Sequence, residues 1–218
     1  MIHEIKEHWD YVHTDKSKRF TGIGAFFLGR QNYEFFAICK KYLAGKNYKN
    51  IFEVGCAPGN YLISFFKRFG YIPYGIDYSE QGAKKTQENL KAQHIPGEIW
   101  QQDFFDNAWG EANKEKYDVV FSLGFIEHYD DPSDAIARHF QLTKPGGTVI
   151  FTIPNLNNIN SFFVPKAILD IHNRTIMDKP GLEKLFANFT VEYMGRAGGP
   201  INVGLYFYKN KFLETIRL

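Results

Sequence analysis

The sequence predicts an α/β fold: a doubly wound, mostly parallel seven-stranded sheet with helices on both faces and a C-terminal antiparallel hairpin strand. Three observations carry that expectation. Short apolar runs alternate with helix-period segments from residue 50 to residue 153, the rhythm of parallel strands joined by right-handed helical crossovers. A glycine-bearing loop, Gly55 to Asn60, follows the first of those runs, where the floor of a ligand site is expected in an open α/β sheet. The last two apolar runs, Phe189 to Met194 and Val203 to Tyr208, have no helix between them and read as a hairpin.

At the N-terminus Ile2, Ile5, Trp9 and Val12 recur at helical spacing, which predicts an amphipathic helix. Thr21 to Phe27 carries Gly22 and Gly24 and reads as a flexible connection. Tyr33, Phe36, Ile38, Cys39 and Leu43 then give a second helical face over Gln31 to Ala44, stopped by Gly45. Residues 1–46 are therefore expected to be N-terminal helices that form a lid or cap of the same domain, and residues 47–218 its ligand-binding body.

Within the body, strands are expected at Ile51 to Val54, Tyr71 to Ile76, Gly97 to Gln101, Tyr117 to Ser122 and Thr148 to Ile153. Helices are expected at Gly59 to Phe69, Ser79 to Ala92 and Pro132 to Leu142, with Lys144-Pro145-Gly146-Gly147 as the turn before the fifth strand. Pro154 to Asp170 is the longest insertion after a strand, a position that commonly shapes substrate sites.

Composition excludes several classes. Lys plus Arg number 26 against 24 acids, so no strong field draws the chain to long nucleic acid. The one basic cluster, Lys16 to Arg19, is short enough to be a solvated turn. Cys39 and Cys56 cannot build a disulfide framework and have no metal-ligand spacing with the histidines, so no metal is expected. The acidic N-terminal decapeptide lacks a secretory core and no run is long enough to span a bilayer, which points to a cytoplasmic chain with no membrane partner. Aromatic residues reach 17%, which fits either a heavy core or an aromatic-lined pocket.

The loop itself argues about its ligand. A dinucleotide fingerprint needs glycines at 55, 57 and 60, where this chain has Gly55, Ala57 and Asn60, with Gly59 one residue out of register. Pro58 has no N–H to give a pyrophosphate but suits the first turn of a helix. Glu53 at the strand end favours a cationic ligand over a diphosphate.

Glu53-Val54-Gly55-Cys56-Ala57-Pro58-Gly59 resembles the first motif of class I S-adenosylmethionine-dependent methyltransferases, with Ala57 in place of the middle glycine. Three later stretches follow in order: Tyr74 to Ser79, Gln102 to Phe105, and Ser122 to Pro132 with Leu142 to Thr148. The resemblance covers residues 50–155 closely and the terminal hairpin loosely. It implies a Rossmann-like methyltransferase fold and S-adenosylmethionine as cofactor. The cofactor-binding residues it implies are Glu53, Gly55, Cys56, Ala57, Gly59, Asp77, Tyr78, Asp103, Phe104 and Leu123. Asp77 would accept from both ribose hydroxyls and Asp103 from the adenine amino group, beside an apolar neighbour that stacks on the base.

Methyl transfer is an in-line displacement, so positioning supplies most of the catalysis and a base helps where the acceptor is a hydroxyl. His128, just after the fourth strand, is the candidate base, and a histidine that only orders its loop is the competing reading. Glu127 either orients His128 or caps the next helix. Phe125, Tyr129 and His172 are candidates for the substrate pocket, with a surface position open for His172. Trp9, Tyr11 and His13 either form a lid or belong to a packed helix, and Arg19 is a candidate partner for the cofactor's carboxylate. The expected acceptor is a small molecule. A sugar or glycan precursor is suggested by Phe105, Phe125, Tyr129, Phe162 and Phe163 and by Glu7 to Asp10, although core packing explains most of those aromatics equally. Two rival classes remain: a catalytically silent binding or scaffold subunit of the same fold, and an NAD-linked oxidoreductase.

Overall fold

A computed structural model of the chain describes residues 23–197. These fall into two compact units, residues 47–152 and residues 23–46 together with 153–197. The expected helix at Ile2 to Val12, the candidates Trp9, Tyr11, His13 and Arg19, and the expected strand Val203 to Tyr208 lie outside the described residues. In chain order the elements are α1 (Ile23–Leu43), β1 (Asn50–Val54), α2 (Asn60–Phe69), β2 (Ile72–Asp77), α3 (Glu80–Ala92), β3 (Glu98–Gln101) and α4 (Asn107–Ala112). They continue with β4 (Tyr117–Leu123), a 3-10 turn (Ile126–His128), α5 (Ser133–Leu142), β5 (Thr143–Thr152), α6 (Lys166–Asp170) and α7 (Lys179–Leu185).

The first unit is a parallel sheet of five strands in the order β3-β2-β1-β4-β5. Strand order therefore reverses between β1 and β4, which puts the ligand crevice beyond their carboxyl ends. The helices that cover the sheet begin and end where local chemistry dictates. Ser79 caps α3 by accepting from the Gly82 amide at 3.0 Å, and α2 ends at Gly70, whose positive φ of 73° is a left-handed stop that glycine adopts without strain. On α2 the apolar positions Leu62, Ile63 and Phe65 turn inward, and the Phe65 ring meets Phe121 of β4 at 5.0 Å. The other side of the sheet holds a core of Phe52, Val54, Ile76, Phe104, Tyr117, Val120 and Leu142, against which Tyr74, Trp100, Phe105, Trp109 and Phe125 pack. Much of the high aromatic content is thus interior.

Two features of this unit differ from the expectation. Lys144-Pro145-Gly146-Gly147 is not a turn before β5 but a bulge inside it, because β5 pairs Thr143 with Tyr117 and then jumps register to pair Thr148 with Val119. Asp118 steadies the bulge and the start of β1 together: it accepts from the Lys49 amide at 2.7 Å and pairs with Lys144 at 2.8 Å. The short helix α4 was not foreseen. It is capped by Asp106, which accepts from the Trp109 amide at 2.9 Å. Of the seven strands expected, five form among the described residues, and Phe189 to Met194 carries no strand. Strand backbone needs a partner for its N–H and C=O groups, and the expected partner, Val203 to Tyr208, lies outside the described residues.

In the second unit α1 starts at Ile23, so Gly24 sits inside a helix rather than in a flexible connection. A glycine inside a helix costs about 1 kcal/mol, and the 21-residue helix carries two, Gly24 and Gly29. Phe35, Phe36, Cys39 and Leu43 are buried, whereas Tyr33 is 73% exposed because at 100° per residue it falls off that stripe. Leu156, Val164 and Met177 form a small cluster with Ile153 and Leu169. Among the described residues no helix is long and apolar enough to cross a membrane.

Candidate functional site

At the carboxyl edge of the first unit the loop between β1 and α2 folds back on β2. The amides of Gly55 and Cys56 donate to the Ile76 carbonyl at 2.9 and 3.2 Å, and the Gly59 amide donates to the Cys56 carbonyl at 2.7 Å. Gly59 has φ +86°, and a Cβ there would lie 2.8 Å from Thr86 Cγ2, so both conformation and space require glycine. Ala57 sits in a half-buried part of this loop and Pro58 is exposed.

Asp77 ties the loop to the end of β2. One carboxylate oxygen accepts from the Ala57 amide at 3.0 Å and the other from the Ser79 amide at 2.9 Å. A carboxylate offers about four lone-pair positions, and these two amides use two of them. Glu53 ends the neighbouring strand, 4% exposed, with Oε2 lacking a hydrogen-bond partner among the described residues. Burial pushes its pKa well above the ordinary carboxylate value, and the charge of Asp77 pushes the same way. The Cys56 thiol is also raised, mainly by burial.

The other predicted residues are distributed as follows. Tyr78 is half-exposed after β2, and Asp103 is exposed, accepting from the Phe105 amide at 2.9 Å in an Asx turn. Phe104 is buried, its ring edge-on to Phe105, Phe125 and His139 at 5.1–5.4 Å, so protein aromatics occupy its surroundings. Leu123 is the half-buried end of β4. Phe125 and Tyr129 are half-buried, and the Tyr129 ring packs on both Phe105 and Phe125 at 5.5 Å. The Tyr129 hydroxyl is pushed up to about 12, by burial first and by the charge of Asp103 second. His128 is half-buried in the 3-10 turn, whose amide donates to the Phe125 carbonyl at 3.2 Å. These residues all lie in the first unit, whereas His172 belongs to the second, in the turn after α6.

Two buried groups were not assigned these settings from the sequence. Glu127 does not cap α5, whose N-cap is Pro132; its carboxyl is fully buried and both oxygens lack partners among the described residues. Burial raises its pKa to about 8. His139 is fully buried in α5, its Nδ1 within 2.7 Å of the Ala135 carbonyl and its ring against Phe104, Phe125 and Phe151. Its place on the stripe of Ala135, Ile136 and Leu142 was the available signal.

Burial lowers the His139 pKa from 6.5 to about 4. The folded ring stays neutral while the unfolded ring takes up a proton, so its contribution to stability is complete above pH 6.5 and is lost as pH falls through the window to about 4. The loss amounts to about 3 kcal/mol at most. Urea unfolding of the wild type and His139→Gln, near neutrality and near pH 4.5, checks it. The acid loss is expected to shrink in the variant; an equal loss would assign it to other groups.

Comparison with known proteins adds family evidence. A family profile described as "Methyltransferase domain" matches residues 27–189. A ubiquinone biosynthesis O-methyltransferase of Pseudomonas fluorescens (strain SBW25) is 34% identical over 127 residues, 58% of this chain and 49% of that protein. The counterpart from Vibrio cholerae serotype O1 is 26% identical over 188 residues, 75% of each chain. The chain spans about half the length of the first curated relatives it matches. The solved magnesium protoporphyrin IX methyltransferase of Synechocystis PCC 6803 with bound SAH is 16% identical, with a TM-score of 0.68 over 91% of this chain and 93% of that one, a likeness of fold.

Proposed function

The chain belongs to the methyltransferase domain family, of the class I S-adenosylmethionine-dependent type, and from that premise we propose that it transfers a methyl group from S-adenosylmethionine to a hydroxyl of a small molecule. The observation that carries this reading is Asp77, whose carboxylate is fixed at the end of β2 by the glycine loop's own Ala57 amide. The loop and the acid assigned to the ribose are therefore one preorganised piece of backbone and side chain.

The residues present fit the cofactor. Glu53 has a buried oxygen with no partner among the described residues, a complement for positive charge, and Pro58 withholds an amide that a diphosphate would need. In this reading Gly55, Cys56, Ala57 and Gly59 form the floor and Asp77 takes the ribose hydroxyls. Asp103 takes the adenine amino group, and Tyr78 after β2 and Leu123 at the end of β4 complete the cofactor contacts. Phe104, packed in the core, sets the aromatic wall from within, and Phe105 is the neighbour with more exposure. S-adenosylmethionine supplies an electrophilic methyl on a sulfonium. Phe125 and Tyr129 hold the acceptor and exclude water, and His128 takes the hydroxyl proton at an imidazole nitrogen.

Oxygen is favoured as the acceptor atom because the curated relatives are described as O-methyltransferases. The aromatic wall of Phe105, Phe125 and Tyr129 suits a flat hydroxylated ring. A sugar or glycan precursor is the second reading, since the same faces can stack on a pyranose. Methyl-labelled S-adenosylmethionine offered with hydroxylated aromatic rings in one set and sugar precursors in another separates them. Label is expected in the first set; label only in the second reverses the assignment. No product in these sets or in a metabolite extract, with the cofactor bound, would indicate a silent binding subunit.

A further inference from the structure

The segment Gln102 to Asn107 leads from the end of β3 into α4 and carries Asp103, the residue assigned above to the adenine amino group. Its internal bonds are local. Asp103 Oδ1 accepts from the Phe105 amide at 2.9 Å, the Asp106 amide donates to the Asp103 carbonyl at 3.1 Å, and Gln102 Nε2 donates to Asp106 Oδ2 at 2.8 Å. A long-range tie comes from α5. Arg138 Nη2 donates to Asn107 Oδ1 at 2.7 Å and to the Phe105 carbonyl at 3.3 Å. Residue 105 is therefore held at both ends: its amide fixes the Asp103 carboxylate, and its carbonyl is fixed by the guanidinium. Both bonds from Nη2 are charge-assisted, and the planar guanidinium loses little freedom in making them.

The helix that follows is shaped to this contact. Gly110 lies inside the six-residue α4, where glycine is a poor helix former, and a Cβ at that position would overlap Arg138 Nη1. The guanidinium takes the space that any other side chain at 110 would need. The Phe105 ring also packs on Phe104 at 5.3 Å and on Tyr129 at 5.5 Å, so the residue that Arg138 holds belongs to the aromatic wall as well.

We propose that Arg138 is a positioning residue for the cofactor's base: by fixing Phe105 and Asn107 it holds the Asp103 carboxylate in place for an exocyclic amine, and so sets a preference for adenine over a base with a carbonyl at that position. The proposal rests on the cofactor reading above. An amino group donates to the held carboxylate, whereas a carbonyl presents lone pairs to it and is repelled. With the guanidinium displaced, the turn at Asp103 loses its fixed point. The gain from the amine and the penalty on the carbonyl then both shrink.

Calorimetric titration of the full chain with S-adenosylhomocysteine and with its deaminated analogue S-inosylhomocysteine tests this in the wild type, Arg138→Met and Gly110→Ala. The readout is the ratio of the two dissociation constants, which a general loosening of the protein does not move. The wild type should favour the adenine ligand by about 10- to 10²-fold, the worth of one hydrogen bond to a charged group. In both variants the ratio should fall by more than about threefold as that bond is weakened. Gly110→Ala keeps Arg138 and installs a better helix former, so it displaces the guanidinium without weakening α4 itself. Should Arg138→Met not fold, Gly110→Ala decides alone. A ratio within about threefold of the wild type in either folded variant, an equal loss with both ligands included, overturns the proposal and leaves Arg138 a clip between α4 and α5. Equal binding of the two ligands by the wild type also overturns it and takes Asp103 away from the base, with the ribose reading still standing. No binding of either ligand by the wild type overturns the cofactor reading together with the proposal.

Discussion

Asp77→Ala is expected to weaken S-adenosylhomocysteine binding by a factor of about 10² to 10⁴, because two hydrogen bonds to a charged acceptor are lost at roughly 1.5–3 kcal/mol each. The effect has a second source. The Ala57 and Ser79 amides lose their acceptor, and the glycine loop loses its tie to β2. Asp77→Asn separates the two contributions: it keeps one carbonyl oxygen for the loop and gives up the charge. An intermediate affinity is expected for Asn, with an unfolding midpoint between those of Ala and the wild type, because its NH2 cannot accept from the second backbone amide. A dissociation constant for Asp77→Ala within about threefold of the wild type, far below the loss of even one charge-assisted bond, would remove Asp77 from the site.

His128→Ala is the second large effect. General-base catalysis contributes about 10² to 10⁴, so kcat should fall by that factor once a turning-over acceptor is in hand. Cofactor affinity should hardly move. The turn that carries His128 is made by backbone, with its own amide on the Phe125 carbonyl at 3.2 Å and the Tyr129 amide on the Ile126 carbonyl at 3.4 Å. Both bonds survive loss of the imidazole, and the unfolding midpoint of the variant measures what the side chain itself contributes. Unchanged kcat would make His128 a loop residue and leave positioning as the whole of catalysis.

Sequence patterning made the alternation of strands and helices legible because each strand buries a short apolar run and each helix a stripe, both local signals. The glycine loop and Asp77 were legible for a similar reason: a positive-φ position and an acid at a strand end are written in residue type. What escaped were consequences of packing. Six residues of α4 are too few to show a helical period, and the cap on Asp106 is visible only once the turn has formed. The register jump in β5 depends on Asp118 and Lys144, 26 residues apart. Phe104 is a cofactor-binding candidate by position, and its burial against Phe125, after β4, and His139 of α5 appears only once the chain is folded. At Phe189, Val191 and Tyr193 alternation reads as a half-buried strand, yet all three are at least 40% exposed and no ladder forms among the described residues. Alternation cannot specify a partner strand. Nor can it show that Glu127 and His139 are buried with polar atoms unpartnered among the described residues, because that depends on which side chains close over them.

The central claim is that the carboxyl edge between β1 and β4 is a site for S-adenosylmethionine and its product. Calorimetric titration of the unaltered chain with S-adenosylhomocysteine tests it most directly. Saturable binding with a micromolar dissociation constant, about −8 kcal/mol, is the expected result. No heat and no shift in unfolding midpoint at millimolar ligand would contradict it.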